Sequence, residues 1–157
     1  MTTSLLGLAL PKDYGYVIVA TTATCFLGMW HGMRIGSFRK SAGIGYPKAY
    51  ADSGDLASAD PETKKKLYLF NCAQRAHSNY LENQPSVMAA MLIAGVQYPL
   101  WTAALGAAWI ASRVVYAVGY TNENKTKGQG RLYGSGFWFA QLGLFGLAGW
   151  TGLKMVL

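Results

Sequence analysis

Residues 71–85 read NCAQRAHSNYLENQP and run, without a turn signal, into PSVMAAMLIAGV at 85–96. One helix therefore carries Arg75, His77, Asn79 and Glu82 into a hydrophobic setting. At about 100° per residue, Arg75, Asn79 and Glu82 (i, i+4, i+7) fall within roughly 60° of one another. Ionisable groups in hydrocarbon are expensive and mark functional positions. A cation, an amide and an anion on one stripe read as a polar ligand site.

The rest of the chain supplies the membrane. Charged residues make up 13% of the 157 residues, about half the usual share of roughly 25%. The mean hydropathy of +0.16 is held down by one polar loop. With 14 Lys+Arg against 7 Asp+Glu the chain is basic. Its basic residues gather at the ends of apolar runs rather than in a soluble patch, which excludes nucleic acid and favours anionic lipid or an anionic ligand. Cys25 and Cys72 lie inside apolar runs and read as small apolar filler, not a disulfide framework. The opening MTTSLLGLALPKD has no basic n-region and a short apolar run cut by Pro11, so no cleaved signal peptide is expected.

Tyr14–Met33 contains 20 residues without a formal charge, about the number needed to cross roughly 30 Å of hydrocarbon. Arg34, Arg39 and Lys40 mark its end, and His31 reads as an interfacial histidine. Gly36–Lys66 is a polar surface loop. Asp60 and Pro61 have the chemistry of an N-cap and a first helical position, and Lys64–Lys66 read as a headgroup anchor. The second helix covers about 67–98, with a kink expected at Pro85. Together these features predict an all-α, integral membrane four-helix bundle. Residues 1–157 form a single domain with spans at about 14–34, 67–98, 100–120 and 132–157. Ala103, Ala107 and Ala111, and the glycines at 143, 146, 149 and 152, recur at intervals that allow close helix approach.

The basic residues sit in loops 36–66 and 121–131 and not in the short connection at Tyr98-Pro99, so both loops are expected to be cytoplasmic. That places Arg75 and Glu82 in the cytoplasmic half of the second span. On the third span Arg113, Tyr116 and Tyr120 (i, i+3, i+7) share another stripe. Arg39 closes the first span and Arg131 opens the fourth. Four arginines, one per helix, are thus expected at one depth. Arginine's fork suits carboxylates, Asn79 can donate and accept, and the tyrosines offer hydroxyls. Glu82 calls for an ammonium, so a zwitterionic peptide with more than one carboxylate fits; a network of structural ion pairs is the bland alternative.

The pattern N-C-x-Q-R-A-H-x-N-x-L-E-x-x-P at 71–85, followed by A-W-I-x-x-R-V-x-Y-A-x-G-Y at 108–120, closely resembles the family of membrane-associated proteins in eicosanoid and glutathione metabolism (MAPEG). It is most similar to the third microsomal glutathione transferase branch, with leukotriene C synthase a nearer cousin than the prostaglandin synthases. The resemblance implies a homotrimer with glutathione as cosubstrate between subunits, no metal, and an endoplasmic reticulum (microsomal) membrane or the mitochondrial outer membrane. Arg75, Asn79, Glu82, Arg113, Tyr116 and Tyr120 match positions that hold glutathione in the family, and Arg39 matches a helix-1 arginine of the same site. Arg131 matches the arginine that faces the glutathione sulfur. His77 stands where leukotriene C synthase has Gln but fits the third microsomal branch. Asn83 replaces a Tyr.

The activity implied is a glutathione transferase or glutathione-dependent peroxidase. Its substrates are a lipophilic electrophile or a lipid hydroperoxide arriving from the membrane. Because the ligand brings its own thiol, the chain needs neither a nucleophilic cysteine nor a triad. The alternative within the family is a non-catalytic lipid-presenting protein like the lipoxygenase-activating protein.

Overall fold

The computed structural model describes residues 2–5 and 8–157, with side chains from Leu10 onward. The reading of the opening residues as lacking a leader bears partly on residues 1, 6 and 7, which lie outside those described. The chain begins with a short hairpin in which β1 (Thr2–Leu5) pairs antiparallel with β2 (Leu8–Pro11), Thr2 opposite Pro11. Every regular element after it is helical. Four long helices, α1 (Tyr14–Ala42), α3 (Pro61–Gly95), α4 (Pro99–Tyr120) and α5 (Phe137–Val156), are joined by the short α2 (Ser53–Ala57) and a 3-10 turn at Gln129–Gly134. By length and composition α4 is apolar enough to cross a membrane.

Three boundaries differ from the sequence reading. First, α1 does not give way to a loop at Gly36 but continues to Ala42. Gly43, in the left-handed region at φ +68°, stops it there. Its N–H donates to the Lys40 carbonyl at 3.2 Å and that of Ile44 to the Arg39 carbonyl at 3.3 Å, the paired closure that satisfies the last carbonyls of a helix. The charges at 34–40 mark a change of environment, not the end of the helix. Second, α3 opens at Pro61 as read, with Asp60 Oδ1 accepting from the N–H groups of Glu62 (2.9 Å) and Thr63 (3.0 Å). It then runs unbroken through Pro85 and ends at Gly95. Third, Arg131 does not open the last helix. Glycines at 128, 130, 134 and 136 disfavour α-helix, the chain forms the 3-10 turn, and α5 begins only at Phe137.

The fold divides into two compact units. The first comprises Met1–Phe26, Asn83–Ser112 and Gly136–Leu157. Val17, Met91, Trp109 and Leu144 are fully buried in it. A buried polar chain in it runs from Trp109 Nε1 to Gln141 Oε1 (3.2 Å), and from Gln141 Nε2 to Asn83 Oδ1 (3.0 Å). Outside, Val19, Phe26, Trp101, Phe139 and Leu142 are exposed, a surface suited to lipid and not to water.

The second unit comprises Leu27–Glu82 and Arg113–Ser135. Ile35, Ala42, Ala51, Leu67, Phe70 and Ala73 form its core, with Phe38, Ile44 and Ala59 packed against it. Arg34 on α1 donates to Thr121 Oγ1 (2.7 Å) and to the Ala117 carbonyl (3.2 Å), tying α1 to the last turn of α4. Of the lysines read as a headgroup anchor, Lys65 pairs with Glu123 and Lys66 with Glu62, each at 2.7 Å.

Candidate functional site

Every residue singled out for the site lies in the second unit. The two stripes meet where Arg113 on α4 donates through Nη1 to Asn79 Oδ1 on α3 at 2.8 Å. Asn79 in turn turns its Nδ2 toward Glu82 Oε2 at 3.5 Å. Arg113 is fully buried, and its guanidinium lies over the rings of Tyr116 (4.8 Å) and Tyr80 (5.6 Å). An amide oxygen and two π faces are what hold a guanidinium out of water.

The series continues along α4. Tyr116 and Tyr120 meet edge to face at 5.5 Å, and the Arg131 guanidinium lies 5.7 Å from the Tyr120 ring. Arg131 is set there by backbone rather than by a helix start. Gly119 of α4 and Gly130 of the 3-10 turn approach so closely that a Cβ on either would collide with the carbonyl of the other. The preceding Gly128 is left-handed at φ +67°, and its N–H donates to the Tyr68 hydroxyl at 2.7 Å. Arg131 itself is exposed and reaches back to the Gly128 carbonyl at 3.4 Å. Glu82, Asn79, Arg113, Tyr116, Tyr120 and Arg131 thus form one continuous line of polar and aromatic groups.

Arg75 and Glu82 are exposed and Asn79 half-buried, so the α3 stripe faces out of the unit. Two other candidates stand apart from the line. Arg39 is 7% exposed. Its Nη1 donates to the carbonyls of Lys48 (2.6 Å) and Gly45 (3.4 Å), and its guanidinium is sandwiched by Tyr46 (4.3 Å) and Phe70 (4.8 Å). The structure therefore does not bring four arginines together; Arg39 is engaged by its own loop. His77 faces His31, ring centroids 5.9 Å apart, and His31 stacks on Tyr80 at 4.7 Å. His31 Nε2 and His77 Nδ1 are buried without a hydrogen-bond partner. His31 is thus buried inside the protein.

Sequence reasoning missed Arg34, Tyr68 and Tyr80. Tyr80 follows Asn79 on the buried face and could have been found from the helical period.

The sequence model described as the MAPEG family matches residues 17–150. The chain belongs to the MAPEG family. The match runs from the first turn of α1 to the last turns of α5 and includes both polar stripes, so it accounts for the helical membrane fold as a whole. MAPEG proteins bind glutathione and lipids in membranes, and the family contains transferases, peroxidases and non-enzymes. Within that range, this MAPEG chain carries a buried arginine, an exposed arginine, an amide, a carboxylate and two tyrosines on facing stripes. Such a set offers donors for two carboxylates and an acceptor for one ammonium.

Proposed function

We propose that this MAPEG protein is a membrane-bound glutathione transferase, closest in kind to the third microsomal branch, that joins glutathione to lipophilic electrophiles or reduces lipid hydroperoxides with it. The observation that carries the reading is the unbroken line from Glu82 through Asn79, Arg113, Tyr116 and Tyr120 to Arg131. A structural ion-pair network has no use for the exposed members of that line, Glu82 and Arg131, nor for Arg75 on the same stripe. The outward stripe on α3 also supports a homotrimer in which a second copy covers it, since Arg75 and Glu82 facing hydrocarbon would be costly. The basic loops support a site on the cytoplasmic side of the membrane, and the likeness to the third microsomal branch supports the endoplasmic reticulum, with the mitochondrial outer membrane as the alternative.

Bound glutathione supplies the thiol. A free thiol has a pKa of about 8.5, leaving a few per cent thiolate at pH 7. Arg131 beside the sulfur would favour the anion. A shift of about two units requires roughly 2.7 kcal/mol, within what a partly desolvated guanidinium supplies. In conjugation the sulfur forms the new bond to carbon as the leaving group departs. In peroxide reduction two glutathiones give one disulfide, an alcohol and water.

A lipid-presenting, non-catalytic role is favoured by a separate feature of the first unit. Tyr98, Trp101, Leu105, Gly143, Gly146 and Leu147 line an open apolar groove of about 530 Å³. Turnover separates the two readings. The detergent-solubilised protein should conjugate a generic aryl halide or reduce a lipid hydroperoxide in proportion to glutathione. Glutathione binding without either turnover would favour the presenting role, and no glutathione binding would sink the transferase reading.

A further inference from the structure

Residues 45–51 are fastened between two helices. On one side Arg39 of α1 holds the carbonyls of Gly45 and Lys48. On the other, the Asn71 amide of α3 pairs with both backbone groups of Ala51, accepting from its N–H at 2.8 Å and donating to its carbonyl at 2.9 Å. One turn further along α3, Gln74 donates to the Ala49 carbonyl. Tyr50 stands between these two anchored residues. Its hydroxyl lies 3.2 Å from Ser78 Oγ, which places the phenol beside Arg75, one turn earlier on the same face of α3. Arginine has no acceptor, so toward Arg75 the phenol oxygen accepts, which leaves its hydrogen for Ser78 or for an anion.

We propose that Tyr50 is a further glutathione-binding residue. With Arg75 it takes the glycyl carboxylate, and so it selects the tripeptide over γ-glutamylcysteine. The proposal rests on the glutathione reading above and deepens it. Glu82, steadied by Asn79, is the anion that draws the ligand's ammonium. The α-carboxylate sits on the same carbon as that ammonium and must stay beside it. Arg75 lies seven residues from Glu82, about 10 Å along the helix axis, and among the described ion pairs none joins the two. The carboxylate that can reach Arg75 while the ammonium stays at Glu82 is the one at the glycine end. Arg75 is exposed and would otherwise sample many rotamers. A phenol clamped by Asn71 and Gln74 holds it ready and adds a hydroxyl donor, and binding to a preorganised group loses less freedom.

The test compares dissociation constants of glutathione and γ-glutamylcysteine for the full chain in detergent, as wild type and as Tyr50→Phe. The wild type should prefer glutathione. The variant should weaken glutathione about tenfold, the scale of one hydrogen bond to a charged group, while leaving γ-glutamylcysteine unchanged. Equal weakening of both peptides would make Tyr50 a general scaffold residue and overturn the proposal. So would unchanged affinity for both, or a fall in melting temperature with the preference intact. If the wild type binds neither peptide, the glutathione reading itself fails; if it binds glutathione and the preference survives in the variant, only the role of Tyr50 fails.

Discussion

Arg113 Nη1 and Asn79 Oδ1 lie 2.8 Å apart, and this bond joins the two polar stripes. The arginine is fully buried while the asparagine is half-buried, so the bond links an interior charge to the face where a ligand arrives. Removing Asn79 should therefore act on stability as well as on binding. Asn79→Ala is expected to cost about 1.5–3 kcal/mol and to weaken glutathione, read as a lower melting temperature in detergent together with a higher dissociation constant. A change in binding alone would show that Arg113 is held chiefly by the rings of Tyr80 and Tyr116.

Arg75 makes the contrasting case. It is exposed on the same stripe, so Arg75→Ala should leave the melting temperature within about 0.5 kcal/mol of wild type while weakening glutathione at least tenfold. Isothermal titration beside a thermal melt separates the two effects. Loss of stability of the size expected for Asn79→Ala would move Arg75 out of the binding group and into the structural one.

Arg131 should affect chemistry more than affinity. Arg131→Ala is expected to leave glutathione binding within a few-fold of wild type, to lower thiolate absorbance of the bound peptide, and to depress turnover by about 10²-fold or more. Arg131→Lys should restore part of the turnover, since a point charge keeps the attraction without the fork. Unchanged turnover in Arg131→Ala would remove it from the mechanism.

The position of Arg131 depends on two glycines in backbone contact, Gly119 and Gly130. Gly130→Ala places a methyl against the Gly119 carbonyl and is expected to cost about 1–3 kcal/mol as overpacking. It should push the 3-10 turn off α4. Circular dichroism should show the helices retained while turnover falls as in Arg131→Ala. Full activity in a folded Gly130→Ala protein would contradict this placement.

The polar loop between α1 and α3 should loosen in acid before the helices do. A Lys48 hydrogen bond, helped by the Asp55 N–H, holds the Asp52 carboxyl below the ordinary carboxylate value of 3.8, and the Thr63 hydroxyl and N–H do the same for Asp60. A carboxyl whose pKa is depressed on folding stabilises the fold above that ordinary value, and the contribution is lost as pH falls below it. Amide protection factors at the starts of α2 and α3, taken against the intrinsic exchange rate at each pH, should therefore be constant from pH 7 to about 5 and fall below about 4. A loss of protection between pH 5 and 7 would point to a different group.

Much of the site was legible because helical periodicity is a local property. Arg75, Asn79 and Glu82, and Arg113, Tyr116 and Tyr120, share faces by spacing alone, and the structure adds the 2.8 Å bond that joins them. Asp60 and Pro61 were legible for the same reason, since a cap and the helix it starts are neighbours in sequence. Arg39 was not. Its residue type and place near the end of α1 suited a ligand arginine. Only the fold shows the carbonyls of Gly45 and Lys48 converging on it, while Arg34, one turn and a little earlier, bonds α4 instead.

The sequence by itself determined the membrane class, the helices and the two stripes, because hydrophobic length and a 3.6-residue period are carried by neighbouring residues. Tertiary structure alone decided where the loops hand their groups over. Arg131 reaches the tyrosine line through the contact of Gly119 with Gly130, and Tyr50 stands beside Arg75 because Asn71 and Gln74 fasten the backbone on either side of it. Those partners stand 20 residues apart between Ala51 and Asn71, and no local pattern specifies contacts across such a distance.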